Sequence, residues 1–154
     1  MRPPPPAHAP NGPFRRILVM MNFSPSARAA LAAARRAFPH ARLDVLHVVP
    51  VEANAASPLA PAGRGLTSAV LVERDRHWTH EAAARLAELG GGEIVRGDAG
   101  DVALERLREG RYDLVVVGAS ALGGVERLLL GSVATRLLRR SPVPVLTVLA
   151  DPEG

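Results

Sequence analysis

The sequence predicts an α/β protein: a doubly wound, five-stranded parallel sheet, Rossmann-like, with strand order 3-2-1-4-5 and helices on both faces. Two observations lead to this prediction. Apolar runs alternate with helical segments, and the inner runs are apolar on both faces. The chain has 154 residues, of which 47% are apolar, so we expect one compact domain with a proper core.

The domain is predicted to span residues 14–150, after a proline-rich tail over residues 1–13 that cannot pack and is expected to be disordered. The first strand is the apolar run over residues 17–22. Ser24 is a good helix N-cap with Pro25 at the first helical position, so a helix is predicted from there to Ala37.

The remaining elements follow in the same alternation. A second strand over residues 43–49 precedes a long loop over residues 50–65, a candidate lid. The next helix ends at the glycines of residues 90–92, and its predicted buried stripe comprises Leu71, Trp78, Ala82, Leu86 and Leu89. A third strand over residues 93–97 is followed by a brief helix, which is marked by Val102, Leu104 and Leu107. The fourth strand covers residues 112–118. A helix over residues 132–140 and a fifth strand over residues 143–149 complete the domain.

The turn after the fourth strand is long and rich in small residues, whereas an ordinary strand-to-helix connection takes about two to six residues. Ligands of doubly wound sheets bind beyond the carboxyl ends of the strands where the strand order reverses, which places a crevice between Asn22 and Gly118. The backbone N–H groups of the first helical turn, which begins at Ser132, point out of the helix and would favour an anion such as a phosphate. The alternative is that the glycines only shape the turn and Ser132 only caps the helix.

Three blocks of the chain resemble the universal stress protein family: RRILVMMNFSPSARAAL, LDVLHVV and YDLVVVGASALGGVERLLLGSVATRLLRRSPVPVLTV. The last block is the specific one. Members that bind ATP carry a pattern of Gly, two residues, Gly, nine residues, Gly and then Ser or Thr. This chain has Gly118, Ala121, Gly131 and Ser132 at those separations, so one glycine has become alanine.

The resemblance implies that ATP, with magnesium, binds in the cleft between the first and fourth strands. It places the base near Asn22, where the family has an aspartate, the ribose and α-phosphate over Gly118 and Ala121, and the outer phosphates at the amides of Ser132 and Val133. The candidate ligand-binding residues are Asn22, Val48, Val117, Gly118, Ala121, Gly131, Ser132 and Val133. Asn22 keeps an acceptor oxygen, gains a donor and loses the charge, whereas Ala121 adds a methyl group.

No catalytic constellation is predicted. A phosphate-transferring P-loop needs a lysine, and the chain has none. Ser120 lies where a hydrolase nucleophile would, but the last histidine is His80, so the usual order of serine, acid and histidine cannot be completed. His77, His80 and Glu81 are expected on a solvated helix face rather than at a metal, and His47 is expected to be packed or hydrogen-bonded. A slow ATPase stays open, although nothing in the sequence identifies its general base.

The composition of the chain and the exposed edge of its fifth strand lead to predictions about its partners and its cellular location. The arginines are scattered and aromatics make up 3% of the chain, which disfavours nucleic acid, and no apolar run is long enough for a membrane span, so a cytoplasmic protein is expected. The fifth strand, Val143 to Leu149, comes last in the sheet and leaves an apolar edge, and the resemblance implies a homodimer through it. The predicted function is a dimeric binding or signalling module of the stress response. The alternative is a nucleotide-free scaffold that acts through an unknown protein partner.

Overall fold

The structure is a computed structural model that describes residues 12–51, 68–121 and 128–150. Nearly all of the predicted tail and all but the first two residues of the predicted loop over residues 50–65 lie outside these ranges. The elements are β1 (Arg16–Met20), α1 (Pro25–Ala37), β2 (Arg42–Val49), α2 (Ser68–Glu88), β3 (Glu93–Arg96), α3 (Ala99–Arg108), β4 (Leu114–Ala121), β5 (Leu128–Leu129), α4 (Ser132–Arg140) and β6 (Val145–Ala150).

The parallel strands follow the predicted order. β1 lies between β2 and β4, β2 also pairs with β3, and β4 pairs with β6, all in parallel. Ile17 of β1 is in register with Leu43 on one side and Leu114 on the other. The order β3-β2-β1-β4-β6 therefore confirms the predicted 3-2-1-4-5 arrangement, with β6 as the predicted fifth strand.

The long turn after β4 contains more regular structure than the sequence predicted. β4 continues past Gly118 to Ala121, and the two-residue strand β5 pairs with its end in antiparallel fashion, Ser120 opposite Leu129 and Ala121 opposite Leu128. Two residues are too few to form a periodic pattern, so β5 cannot be predicted from the sequence. Gly118 thus lies inside a strand, and the prediction that the strand ends there is wrong.

Helices cover both faces of the sheet, as predicted. One core packs α1 and α2 against the strand residues Ile17, Val19 and Val116. The other packs α3 and α4 against Leu18 and Val115. Consecutive strand residues alternate between the two cores because strand side chains point to opposite faces, and this alternation explains why the inner strands are apolar throughout.

Helix α1 begins as predicted from its cap. The hydroxyl of Ser24 accepts a hydrogen bond from the backbone N–H of Ala27 at 3.2 Å, and Pro25 is the first helical residue. The buried face of α1 consists largely of alanines, which let the helix approach the sheet closely.

Helix α2 departs from the predicted stripe. Ala82 and Leu86 are buried, but Trp78 is 55% exposed, so its predicted place in the core is wrong. Periodicity identified the buried face of the helix correctly. How much of that face is buried along the helix depends on which segments pack against it. Among the helices that the structure describes, none is both long enough and apolar enough to cross a membrane.

Candidate functional site

Gly118 lies where the first turn of α1 crosses β4. A Cβ atom added at Gly118 would fall 2.7 Å from the backbone nitrogen of Ala27 and still closer to the carbonyl group of Ser26. No side chain fits there, because non-bonded heavy atoms need about 3.5 Å or more. The glycine therefore has a packing reason that is independent of any ligand.

Asn22 lies in the short connection between β1 and α1, beside the same helical turn. Its side-chain oxygen Oδ1 accepts hydrogen bonds from the backbone N–H of Ser24 at 3.1 Å and from the Ser24 hydroxyl at 2.5 Å. The Ser24 hydroxyl is also 3.1 Å from the hydroxyl of the buried Ser26, whose backbone faces Gly118. Asn22 and Gly118, the predicted neighbours, are thus connected through the start of α1.

The residue after Asn22 has an unusual backbone. Phe23 has a φ of 61°, in the left-handed region that a bulky residue rarely adopts. Its ring lies 4.7 Å from the ring of His47, and the guanidinium of Arg85 lies 5.6 Å from its centroid. His47 Nδ1 is 2.8 Å from the carbonyl oxygen of Met21, and because a carbonyl only accepts, Nδ1 carries the proton. His47 is therefore packed and hydrogen-bonded, as predicted.

The three predicted valines share one apolar environment. Val48 near the end of β2 and Val117 in the middle of β4 are buried in the core that faces α3 and α4, and Val133 of α4 packs against that core. Gly118 and the start of α1 lie on the opposite face of the sheet. The predicted binding residues therefore come from both faces of the sheet, toward the end at which the strands have their carboxyl termini.

Within the part of the chain that the structure describes, no side chain caps the N-terminus of α4. Gly131, rather than Ser132, is the N-cap, so the interpretation of Ser132 as a simple cap is wrong: Ser132 is the first helical residue. A Cβ at Gly131 would meet nothing within 4 Å, and both residues are exposed. Gly131 has no side chain that could accept from the amides of the first turn, which leaves them for another acceptor.

Ala121 is the last residue of β4, with Leu128 of β5 opposite. Its place in a strand differs from the open turn that the motif predicted. The intervening residues 122–127 lie outside the described residues.

The eight predicted binding residues are all uncharged. In this arrangement an anion would be held by backbone amides and the Ser132 hydroxyl, and an apolar ring would lie against the valines.

A cavity of about 450 Å³ lies at the opposite end of the sheet, where the strands begin. The sequence analysis did not predict this cavity. Asp44 accepts hydrogen bonds there from Arg16 at 2.9 Å, Arg42 at 3.0 Å and the Tyr112 hydroxyl at 3.0 Å. Burial raises the pKa of Asp44, but these three donors outweigh it and hold the pKa below the usual 3.8. Because all three groups donate to Asp44, the cluster joins β1 and β2 to the segment just before β4.

The model of the universal stress protein family matches residues 13–148 of the chain. The chain belongs to the universal stress protein family. Among curated proteins, a universal stress protein of Methanocaldococcus jannaschii is 38% identical over 56 residues, a stretch that covers 36% of this chain and 33% of that relative.

Solved universal stress proteins share the fold. A family member from Burkholderia pseudomallei is 28% identical, with a TM-score of 0.59, and the match covers 92% of this chain and 100% of that one. A family member from Arabidopsis thaliana, solved with AMP bound, is 19% identical with a TM-score of 0.54, and the match covers 90% and 94% of the two chains.

Proposed function

We propose that this universal stress protein binds an adenine nucleotide, ATP with magnesium, in the crevice at the carboxyl ends of β1 and β4. In this proposal the outer phosphates lie at the amides of Ser132 and Val133, and the adenosine lies between the end of β1 and the valines Val48 and Val117. The Arabidopsis family member with AMP bound supports the choice of an adenine nucleotide.

The observation that carries the proposal is the open N-terminus of α4. Amides of a helix N-terminus attract anions because they point out of the helix and carry partial positive charge. At Gly131 there is open space and no capping side chain. This helix follows β4 and β5, and the sheet order reverses between β1 and β4, which is where doubly wound proteins place their ligands.

The proposal assigns binding to the site and no catalytic step. Hydrolysis of ATP would need a general base within hydrogen-bond reach of the attacking water, and the predicted binding residues are all uncharged. The bound nucleotide would then act as a signal that a cytoplasmic partner protein detects.

We further propose that the protein is a homodimer through β6. This strand pairs with β4 on one side, and no strand of the described part of the chain covers its other side. Leu149 is 54% exposed on β6, so a second copy would cover both apolar surface and unpaired backbone groups.

The test of nucleotide binding is a calorimetric titration of nucleotide-free protein with ATP and magnesium. We compare the wild type with Gly131→Asp, which adds a capping carboxylate where the phosphates are proposed to bind. The carboxylate would stabilise the free protein by about 0.5–1 kcal/mol. It would also weaken ATP binding at least tenfold, because it occupies the same amides.

Gly12→Asp is the matched control, because Gly12 also faces open space and the substitution adds the same charge near the start of the domain. We expect it to leave the affinity unchanged. If the wild type does not bind ATP at millimolar concentration, the nucleotide proposal is wrong, and the protein is the nucleotide-free scaffold.

One observation favours the scaffold as the second candidate. Because α1 packs directly onto Gly118, this part of the glycine pattern would be needed even in a protein without a ligand.

A further inference from the structure

Arginines that are scattered along the sequence come together at one end of the fold. The parallel strands begin at this end, and the helices that connect them end there. The ring of Phe38, just after α1, lies 5.6 Å from the ring of Phe14, just before β1, and Arg106 of α3 donates to Glu93 of β3. The last carbonyl groups of a helix favour a cation, and α1, α3 and α4 each have two arginines in the last turn. The topology therefore gathers these arginines.

Several of these arginines have no acidic partner. Acids at this end such as Asp44 and Glu93 form ion pairs with arginines, whereas Glu88 and Glu105 form none with the residues that the structure describes. Five exposed arginines of the helix ends also form no ion pair within the described ranges. We call this set the basic face: Arg35, Arg36, Arg108, Arg139 and Arg140. Its charges are available to an external anion.

The basic face is spread over the whole end of the domain. Helix α1 packs on one side of the sheet and α3 and α4 pack on the other, so the arginines lie on both sides of the row of strand starts. A small anion would contact only one or two of them. A nucleic acid duplex carries one phosphate charge per about 1.7 Å of its axis and can contact many. A guanidinium group suits this partner because it binds a phosphate through two parallel N–H donors.

Side chains that other partners would need are scarce at this end. Tyr112 is buried, and Phe14 and Phe38 pack on each other, so none of these rings is free to stack on an unpaired base. Of the large apolar side chains that are exposed in the described part of the chain, only Leu138 lies beside the basic face. Protein interfaces and membrane-bound helices rely on several such side chains. A duplex needs neither kind of contact, because its bases are already stacked and its phosphates face outward.

We propose that the basic face binds the phosphate backbone of double-stranded nucleic acid without reading its sequence. This site lies at the opposite end of the sheet from the proposed nucleotide site and is independent of it. The scatter of the arginines along the chain disfavours nucleic acid only as long as the fold is unknown.

The experiment measures fluorescence anisotropy of labelled DNA and RNA duplexes of about 20 base pairs, in salt from about 50 to about 200 mM. We expect micromolar dissociation constants at the lower salt. A plot of the logarithm of the binding constant against that of the salt concentration should have a slope of about −4, since each contacted phosphate contributes about −0.9. A single strand with the same number of phosphates should bind more weakly.

Paired variants test which end of the protein binds. Arg36→Gln/Arg140→Gln should weaken binding at least about tenfold at the lower salt and bring the slope to about −2. Arg28→Gln/Arg76→Gln is the matched control: it removes the same charge from exposed positions in the first turn of α1 and the first half of α2, toward the opposite end. It should leave both quantities close to those of the wild type.

A third variant should strengthen binding, an effect that misfolding would not produce. Glu88→Gln/Glu105→Gln removes the two unpaired acids of this end and should tighten duplex binding about fivefold. Circular dichroism melting curves establish that each variant is folded. All three double variants should bind ATP as the wild type does, because the proposed nucleotide site is distant.

The outcomes are distinct. Binding of either duplex with the expected effects of the variants supports the proposal, and the tighter duplex identifies the source of the backbone. The proposal is wrong if neither duplex binds at the lower salt, if both arginine variants lose affinity equally, or if the single strand binds more tightly. Binding to vesicles of anionic phospholipid without binding to a duplex would also overturn it. None of these results affects the nucleotide site, which the ATP titration tests separately.

Discussion

Gly118 shows how one residue type supports two explanations. A glycine in a motif suggests close approach of a ligand, whereas in this fold the backbone of Ser26 and Ala27 occupies the space that a side chain would need. A variant at Gly118 therefore changes packing as well as any binding, and Gly131 is the better position for testing the site.

Gly118→Ala should destabilise the protein by about 1–3 kcal/mol, the usual cost of overpacking a core. The added methyl group would push the first turn of α1 away from β4. Urea unfolding followed by circular dichroism measures the change. Gly12→Ala, where a methyl group meets open space, should have almost no effect. Equal unfolding free energies for the wild type and Gly118→Ala would show that α1 does not pack on β4 in this way.

Asp44 gives a prediction for pH. Its pKa is lowered in the folded protein, so its stabilising contribution is complete above the unfolded value of 3.8 and is lost as the pH falls through the folded value. We expect Asp44→Asn to cost about 1–2 kcal/mol at neutral pH. Its unfolding free energy should fall less than that of the wild type when the pH drops from about 5 to about 2.5.

The measurement is a series of urea titrations across this pH range. Glu105→Gln, an exposed acid on α3, is the control for removal of one negative charge. A pH dependence in Asp44→Asn as steep as in the wild type would mean that the bonds from Arg16, Arg42 and Tyr112 do not lower the pKa.

At the level of the elements, β6 contains a buried hydroxyl that lacks a partner. The Oγ1 atom of Thr147 forms no hydrogen bond with any residue that the structure describes. Thr147 lies opposite Val117 in the strand pair β4–β6. A buried polar atom without a partner costs stability, since it has lost its bonds to water.

Thr147→Val should therefore stabilise the protein by about 1 kcal/mol, because it replaces the hydroxyl by a methyl group of similar size. Thr135→Val is the matched comparison: the Thr135 hydroxyl donates to the carbonyl oxygen of Gly131 at 3.1 Å, so the same substitution removes a bond there. Melting temperatures should rise for the first variant and not for the second. A lower melting temperature for Thr147→Val would show that its hydroxyl has a partner in solution.

The elements also show where sequence patterns are sufficient. The cap formed by Ser24 and Pro25 located the start of α1, because capping involves only neighbouring residues. The helical spacing of Trp78 matches that of Ala82 and Leu86 and predicts burial, yet Trp78 is exposed. Spacing along a helix gives a face and says nothing about which neighbour covers it.

For the whole molecule, the sheet edge decides the oligomeric prediction. If two copies pair through β6, Leu149→Glu should convert the dimer into a monomer, since it buries charge in the interface without affecting a buried core position. Leu138→Glu on α4 is the control, because Leu138 is 50% exposed and lies outside the strand. Sedimentation at micromolar concentration measures both. A wild type that sediments as a monomer would contradict the dimer.

The sequence by itself determined the fold class, the start of α1 and the family, because these follow from local patterns and from a motif of fixed spacing. The tertiary structure decided three other points: that α1 covers Gly118, that Oδ1 of Asn22 accepts two hydrogen bonds from Ser24, and that Asp44 accepts from three donors where the strands begin. The physical reason is that each of these depends on atoms of segments that the fold brings together. Local patterns predict which face of an element is buried, but only packing determines which atoms remain available to a ligand.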